Sequence, residues 1–530
     1  MTTLSGEAEL GRHTWDEHFR KKLVACKSLP TSTVLQIVLL AGIFLLNFFM
    51  QTDPDFWWHL ATGRLIVETG SIPQVDPFSY TAAGEPWVAH EWLGEVVIYL
   101  SYRSGGYVAT VIAFASVITL TFWLGLRTLK LMGLNAAWAS ALTLWAAAMS
   151  MPGWRVRPQA FSYLFFSLYL YLLIRSRKRP DGWLWLLPPA MAVWVNLHAG
   201  YVMGLELLGL FLLGEAINRA RRLTAGHNSP SLKAHTGAFL RQYLPVSLAT
   251  IAATAVNPQG IALILYPLSY TSSRSSNLKY VSEWQSPNFH DYYLFIFGAS
   301  LLLLIVLSSR RSLDWALGIP ILALTVMSLE WIRTIPFYAL TFAPYLCSRL
   351  LSRQTAAVDA GKVEIYEGTP VTVPHRGRAT PLNWLVLAVC LGIMTSTLFL
   401  SDQAQLGRQP LTSDYPVAGI RYIQQADLTG NLFNAYQWGG FVIWSFYPER
   451  RVFVDGRIDM YGDRFIEAYR EVYNLRPNWK NVLSEYDIRV ILIEKNSALA
   501  SLLTASGEWR EVFRGPVESV FVKSERGNGS

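Results

Sequence analysis

Charge is scarce in this chain: Asp, Glu, Lys and Arg together make up 15% of its 530 residues, against about 25% in soluble domains. With 52% hydrophobic residues, that scarcity argues against an ordinary soluble domain. Cysteine is scarcer still. Cys26, Cys347 and Cys390 lie far apart, which excludes a disulfide framework and any Cys-x-x-Cys metal site. Internal repeats and low-complexity segments are missing, which argues against a transporter built from inverted repeats. A cleavable signal peptide is not expected, because residues 1–32 are polar and too charged for one.

What the chain does have is a series of apolar runs of about 17–20 residues, the length needed to cross a bilayer. They fall at 33–50, 107–126, 136–150, 159–174, 183–197, 201–217, 242–257, 292–308, 316–330, 335–350 and 384–401. The expected fold is therefore a polytopic α-helical membrane protein with about eleven transmembrane helices. The net charge of +8 is carried in short loops between these runs, where it encodes topology rather than nucleic-acid binding. Arg20-Lys21-Lys22, Arg127 with Lys130, Arg175 to Arg179, Arg219 to Arg222, Arg310-Arg311 and Arg349 to Arg378 all fall on one side, which the positive-inside rule assigns to the cytoplasm.

This arrangement predicts three parts: a cytoplasmic segment 1–32, a transmembrane domain 33–402, and an extracytoplasmic α/β domain 403–530. In the last, 415–425 and 463–474 read as helices. Arg451 to Asp455, Arg489 to Glu494, 509–513 and 518–523 read as strands. The first outer loop, 51–106, holds two segments (56–68 and 90–103) that mix aromatic and charged residues as helices lying flat at the interface do. The stretch 351–380 reads as a flexible inner loop. The localisation implied is the cell membrane, multi-pass.

The topology puts Asp53, Asp55, His59, His90, Glu91, Arg155, Arg157, His198, Asn257, Glu283 and Arg333 on the outer side or at outer ends of spans. Ionisable groups near a bilayer are costly and mark function. The sequence Asp53-Pro54-Asp55-Phe56-Trp57-Trp58-His59 supplies carboxylates where a lipid-carried sugar would meet water, although Asp53 before Pro54 also suits a helix cap. A carboxylate can take the acceptor proton while the anomeric carbon is attacked, and arginines can neutralise a departing phosphate. Arg155 and Arg157, in Pro152 to Pro158, break the positive-inside bias. A phosphate ligand explains them, as does headgroup snorkelling. Glu283 and Arg333 read as site residues or as a plain salt bridge. Tyr436-Gln437-Trp438-Gly439-Gly440, followed by Asp455-Gly456-Arg457-Ile458-Asp459-Met460-Tyr461, reads as a ligand-facing turn or a packed corner whose glycines allow close backbone approach.

Taken in order, these patches resemble the catalytic subunit of oligosaccharyltransferase, within the GT-C class of membrane glycosyltransferases. Asp53-Pro54-Asp55-Phe56 is similar to that family's first-loop acidic motif, and Leu65 to Gly70 to its Val-Glu-x-Gly stretch. Tyr280 to Pro287 keeps Val-Ser-Glu and Gln of a later motif. Arg333 looks like the family's outer-end arginine, and Tyr436 to Gly440 like a diverged Trp-Trp-Asp-Tyr-Gly. The resemblance implies a catalytic acid at Asp53, with Asp55 beside it as the alternative base. It implies acceptor contacts from Glu283, Trp438 and Tyr436. Arg155, Arg157, Arg333 and His198 are the phosphate-binding candidates, and His59, His90 and Glu91 are further site candidates.

The implied partners are a polyprenyl-linked sugar donor, a protein or glycan acceptor and the lipid bilayer, with no nucleic acid. A cofactor is not required by any motif. If a divalent ion (Mg or Mn) is used, Asp53 and Glu283 would ligate it. Two departures stand against the full family reading. Arg155 and Arg157 occupy the second outer loop where the family has an acid pair, and the Trp-Trp-Asp motif has lost its acid. A non-catalytic glycolipid-binding scaffold or a transporter is the alternative function.

Overall fold

The computed structural model describes residues 30–49, 53–224, 230–264, 281–308, 313–359 and 414–524, with a few isolated positions between 360 and 413. The helices of the first part are α1 Thr31–Leu46, α2 Phe56–Thr69, α3 Trp92–Met132, α4 Ala136–Ser150, α5 Gln159–Lys178 and α6 Leu187–Leu197. They continue with α7 Tyr201–Thr224, α8 Pro230–Ala253, α9 Tyr293–Ser308, α10 Trp315–Glu330 and α11 Ile335–Asp359. The apolar runs expected to span are helical over most of their described residues; most of 384–401 lies outside the described residues, as does most of the expected loop 351–380, whose first residues instead continue α11 to Asp359. Among the described residues, Trp92–Met132 and Tyr201–Arg221 are long and apolar enough to cross a bilayer, and Thr31–Leu46, Trp183–Leu197, Tyr293–Leu307 and Trp315–Glu330 are shorter apolar helices.

Small residues bring these helices into contact. A Cβ on Gly204 would overlap the Trp194 indole, and one on Gly214 would overlap the backbone of Trp315. Such close approach is how apolar helices pack when no water is being released. The centre of the bundle is aromatic. Trp194 lies parallel to Phe165 at 5.6 Å and edge-on to Tyr169 at 5.5 Å, geometries that exploit the ring quadrupole.

Segments 90–103 and 107–126 are one helix, α3, broken at Gly105 and Gly106, where φ reaches +67° at Gly106. The break falls where the outer loop was expected to end. The other flat segment departs from expectation. Phe56 to Gly63 of α2 are all buried, so this helix is a core element rather than a surface one. It is covered by α3, where Phe56 meets Tyr107 edge-on, and by the C-terminal domain, where Trp57 meets Phe441.

That domain comprises α12 Val417–Gln425, β1 Asn431–Asn434, α13 Gly439–Phe446, α14 Ile458–Tyr473, α15 Trp479–Glu485, β2 Ile488–Glu494, α16 Ala498–Ser506, β3 Trp509–Arg514 and β4 Glu518–Lys523. Its sheet runs β1-β2-β4-β3, with β1 and β2 parallel and the other pairs antiparallel. The strand expected at Arg451 to Asp455 is not a sheet member. Val452, Phe453 and Val454 are buried, but their backbone partners come from elsewhere. The Val452 N–H donates to the Phe78 carbonyl at 3.0 Å, and the Tyr80 N–H donates to the Val452 carbonyl at 3.2 Å. The Asn434 side chain accepts from the Phe453 N–H at 2.9 Å and donates to the Val454 carbonyl at 2.8 Å. The first outer loop and one amide thus satisfy this segment, and β1 takes the sheet position instead.

Candidate functional site

Four tight turns present the polar groups. Asp53 Oδ1 accepts the Asp55 N–H at 2.9 Å, which turns the chain into α2 and leaves Oδ2 to meet Arg155 and Arg157. The cap that the Asp-Pro pair suggests is corrected: the helix begins at Phe56 with Asp55 at its N-cap and no side-chain cap bond, and Asp53 closes the turn that precedes it. A 3-10 turn at Met151–Gly153 leads into Arg155 and Arg157. Facing 3-10 turns, Ser282–Trp284 and Ile332–Thr334, carry Glu283 and Arg333 and are tied by the Ile332 N–H to the Gln285 carbonyl at 3.0 Å. Gly153 is packed so closely that a Cβ would lie 2.8 Å from Pro336 Cγ, fixing the arginine loop against the start of α11.

These turns line one cavity of about 700 Å³ between the helical bundle and the C-terminal domain. Asp53, Asp55, Arg155, Arg157, Glu283 and Arg333 all line it. So do His90, Glu91, His198 and Tyr436. Arg157 is the hub: Nη2 lies 2.8 Å from Asp55 Oδ2, and Nη1 lies 2.7 Å from Glu283 Oε1 and 3.5 Å from Asp53 Oδ2. Arg155 Nη1 reaches the same Asp53 oxygen at 3.1 Å. Arg333 lies over the Trp284 ring at 4.4 Å and has no ion pair among the described residues. Burial pushes the Asp55 carboxyl up to about 7 even with Arg157 beside it, and the Asp53 charge adds to the rise. Glu283 is held below the usual carboxylate range, chiefly by Arg157. One acid is thus poised near neutrality beside another that stays ionised.

A second polar group centres on Glu91. His198 Nε2 lies 3.3 Å and His90 Nε2 3.4 Å from Glu91 Oε1, and His59 Nε2 lies 3.7 Å from Oε2. Behind it, His59 Nδ1 lies 3.2 Å from Glu95 Oε1. Burial favours the protonated form of Glu91, but His198, His90 and His59 outweigh it and hold the carboxyl low. Burial lowers His198 to about 4 and His59 to about 3. His198 Nδ1 accepts the Gly200 N–H at 2.8 Å, so the neutral ring carries its proton on Nε2 and turns it to Glu91. His198, expected as a phosphate-binding candidate, does line the cavity, but its lowered proton affinity makes it a hydrogen-bond donor there rather than a source of charge. His59 is 1% exposed and backs the site without lining it.

The expectation for Trp438 is also corrected. Its ring is buried, its Nε1–H donates to the Asp414 carbonyl at 3.0 Å, and it does not line the cavity. Its neighbours Gly439 and Gly440 do what the sequence suggested. Gly440 lies against the turn, with Pro54 O and Trp58 N each 3.0 Å from where a Cβ would be. Gly456 is tighter, since a Cβ there would overlap Asp55 Oδ1.

Arg457, beside Gly456, is a residue whose role its local sequence does not reveal. It lines the cavity floor and is 1% exposed. Its Nη1 binds Asp76 at 2.7 Å, its Nη2 binds Asp455 at 2.7 Å, and its guanidinium lies 4.6 Å from the centre of Trp87. This network joins the first outer loop to the C-terminal domain.

A divalent ion does not fit these residues. The carboxylates that would hold one, Asp53 and Glu283, already converge with Asp55 on the Arg157 guanidinium. Among the described residues no three His, Cys, Asp or Glu side chains are grouped to hold a metal.

Neither a protein-family model nor a curated protein sequence matches the chain. Its fold does match solved structures. The oligosaccharyltransferase AglB of Archaeoglobus fulgidus, in complex with an inhibitory peptide and a dolichol-phosphate, superposes with a TM-score of 0.52 at 11% identity, over 87% of this chain and 69% of that one. The Archaeoglobus fulgidus oligosaccharyltransferase tethered to an acceptor peptide gives 0.50 at 12% identity, over 93% and 74%. ArnT of Cupriavidus metallidurans, bound to undecaprenyl phosphate, gives 0.48 at 15% identity, over 94% and 99%. In fold, the chain is similar to the archaeal oligosaccharyltransferase.

Proposed function

We propose that this chain is a multi-pass membrane glycosyltransferase that moves a sugar or oligosaccharide from a polyprenyl-(di)phosphate donor to an acceptor on the outer face of the membrane. The observation that carries the reading is the convergence of Asp53, Asp55, Glu283, Arg155, Arg157 and Arg333, from four separate chain segments, on one cavity. The fold likeness to an oligosaccharyltransferase whose structure holds dolichol-phosphate supports it.

The chemistry follows from the residues. The acceptor hydroxyl or amide attacks the anomeric carbon, and the bond from that carbon to the phosphate oxygen breaks. The acceptor proton passes to Asp55, whose proton affinity suits a base at neutral pH. The phosphate leaves with the bonding pair, and Arg155 and Arg333 stabilise its charge. Arg157 holds Asp55 and Glu283 in place, and Glu283 meets the acceptor. Tyr436, with Tyr469 and Tyr473 of α14, lines the C-terminal wall and offers flat apolar surface to a sugar or peptide.

Mass spectrometry of outer-face proteins and glycans, from cells with and without the chain, tests this proposal. A saccharide increment that requires the chain supports it. Identical glycan profiles would leave a non-catalytic glycolipid-binding scaffold as the better reading.

A further inference from the structure

We infer that Arg157 is a built-in replacement for a divalent cation, so that this site works without metal. This deepens the reading of the same cavity, but its test does not depend on transfer activity. Three carboxylates from two distant segments, Asp53 and Asp55 at the start of α2 and Glu283 on its 3-10 turn, point at a single guanidinium. Hard divalent cations are held by several converging carboxylate oxygens. Here the converging oxygens are present and their common centre is filled by a side chain.

The geometry suits arginine specifically. Nη1 serves Asp53 and Glu283, while Nη2 serves Asp55. A planar fork with several fixed donors spans these three positions, whereas an ammonium group is a point charge on a flexible stem. The remaining valence of Asp53 is used as well, because Oδ1 takes the Asp55 N–H and Oδ2 also takes Arg155. A cation entering beside Arg157 would meet its positive charge and find no free carboxylate pair.

Manganese binding to the purified full-length protein, followed by the electron paramagnetic resonance of free Mn²⁺, tests the inference. The wild-type chain is expected to bind no equivalent at this site, and Glu283→Gln is expected to change nothing. Arg157→Met, which keeps the side-chain length and removes the charge, is expected to gain a Mn²⁺ equivalent. That gain should be lost again in Arg157→Met combined with Glu283→Gln. Arg157→Lys is expected to stay metal-free. Mn²⁺ bound by the wild type and released by Glu283→Gln would overturn the inference. So would a folded Arg157→Met protein, verified by its unfolding transition, that still binds none.

Discussion

Arg457 and Arg157 each sit among carboxylates, and they do opposite work. Arg457 is 1% exposed, and its two terminal nitrogens are spent on Asp76 and Asp455, a pair that is also sealed. Tyr461 donates to the same Asp455 carboxylate at 2.7 Å. Arg157 and Arg155, at 22% and 45% exposed, face the cavity. The sealed cluster leaves nothing for a ligand and joins two parts of the fold. The open cluster shares its three carboxylates between two arginines on the wall of the cavity. Burial and the count of satisfied oxygens, not residue type, separate a fastener from a site.

The comparison makes separable predictions. Asp55→Asn removes the proposed base and is expected to cut transfer by about 10²–10⁴-fold without moving the unfolding midpoint. In the unmutated protein, transfer should fall as pH drops through about 7, because the raised proton affinity of Asp55 leaves it protonated below that point. His198→Gln should leave that limb in place, since His198 is already neutral there. Arg457→Met reverses the pattern: stranding Asp76 and Asp455 without a counter-charge is expected to cost about 3–5 kcal/mol of stability, measured by denaturant unfolding in detergent. Gly456→Ala links the two regions, because the added methyl displaces Asp55. A misplaced catalytic group can cost about 10²-fold in rate, so transfer should drop while the acceptor KM changes little. The smallest effect is expected from Arg155→Met, which should weaken use of the phosphate donor by about 1.5–3 kcal/mol, read from kcat/KM for donor, with stability unchanged.

The open cluster was legible in the sequence and the sealed one was not, for a physical reason. Asp53, Arg155, Glu283 and Arg333 stand out because a charge beside an apolar run is expensive and rarely kept without use. Asp76 and Arg457 lie in polar-looking loops, where nothing local shows that they will be buried against each other across 381 residues of sequence separation. Trp438 was misread because a tryptophan in a glycine turn suits a ligand face as well as a core, and only its bond to the Asp414 carbonyl decides. Val452 to Val454 were misread as a strand because apolar runs do not reveal who supplies their backbone partners. Here the partners are loop residues 78–81 and the Asn434 amide. The glycines were read correctly because close approach is a property of glycine itself.

The most direct test is an experimental structure of the full chain in a lipid nanodisc with an added polyprenyl phosphate. The phosphate is expected inside the cavity, within hydrogen-bonding distance of Arg155 and Arg333, with its lipid leaving toward the bilayer. Phosphate density elsewhere on the protein, with Arg155 and Arg333 untouched, would contradict a transferase site at this place.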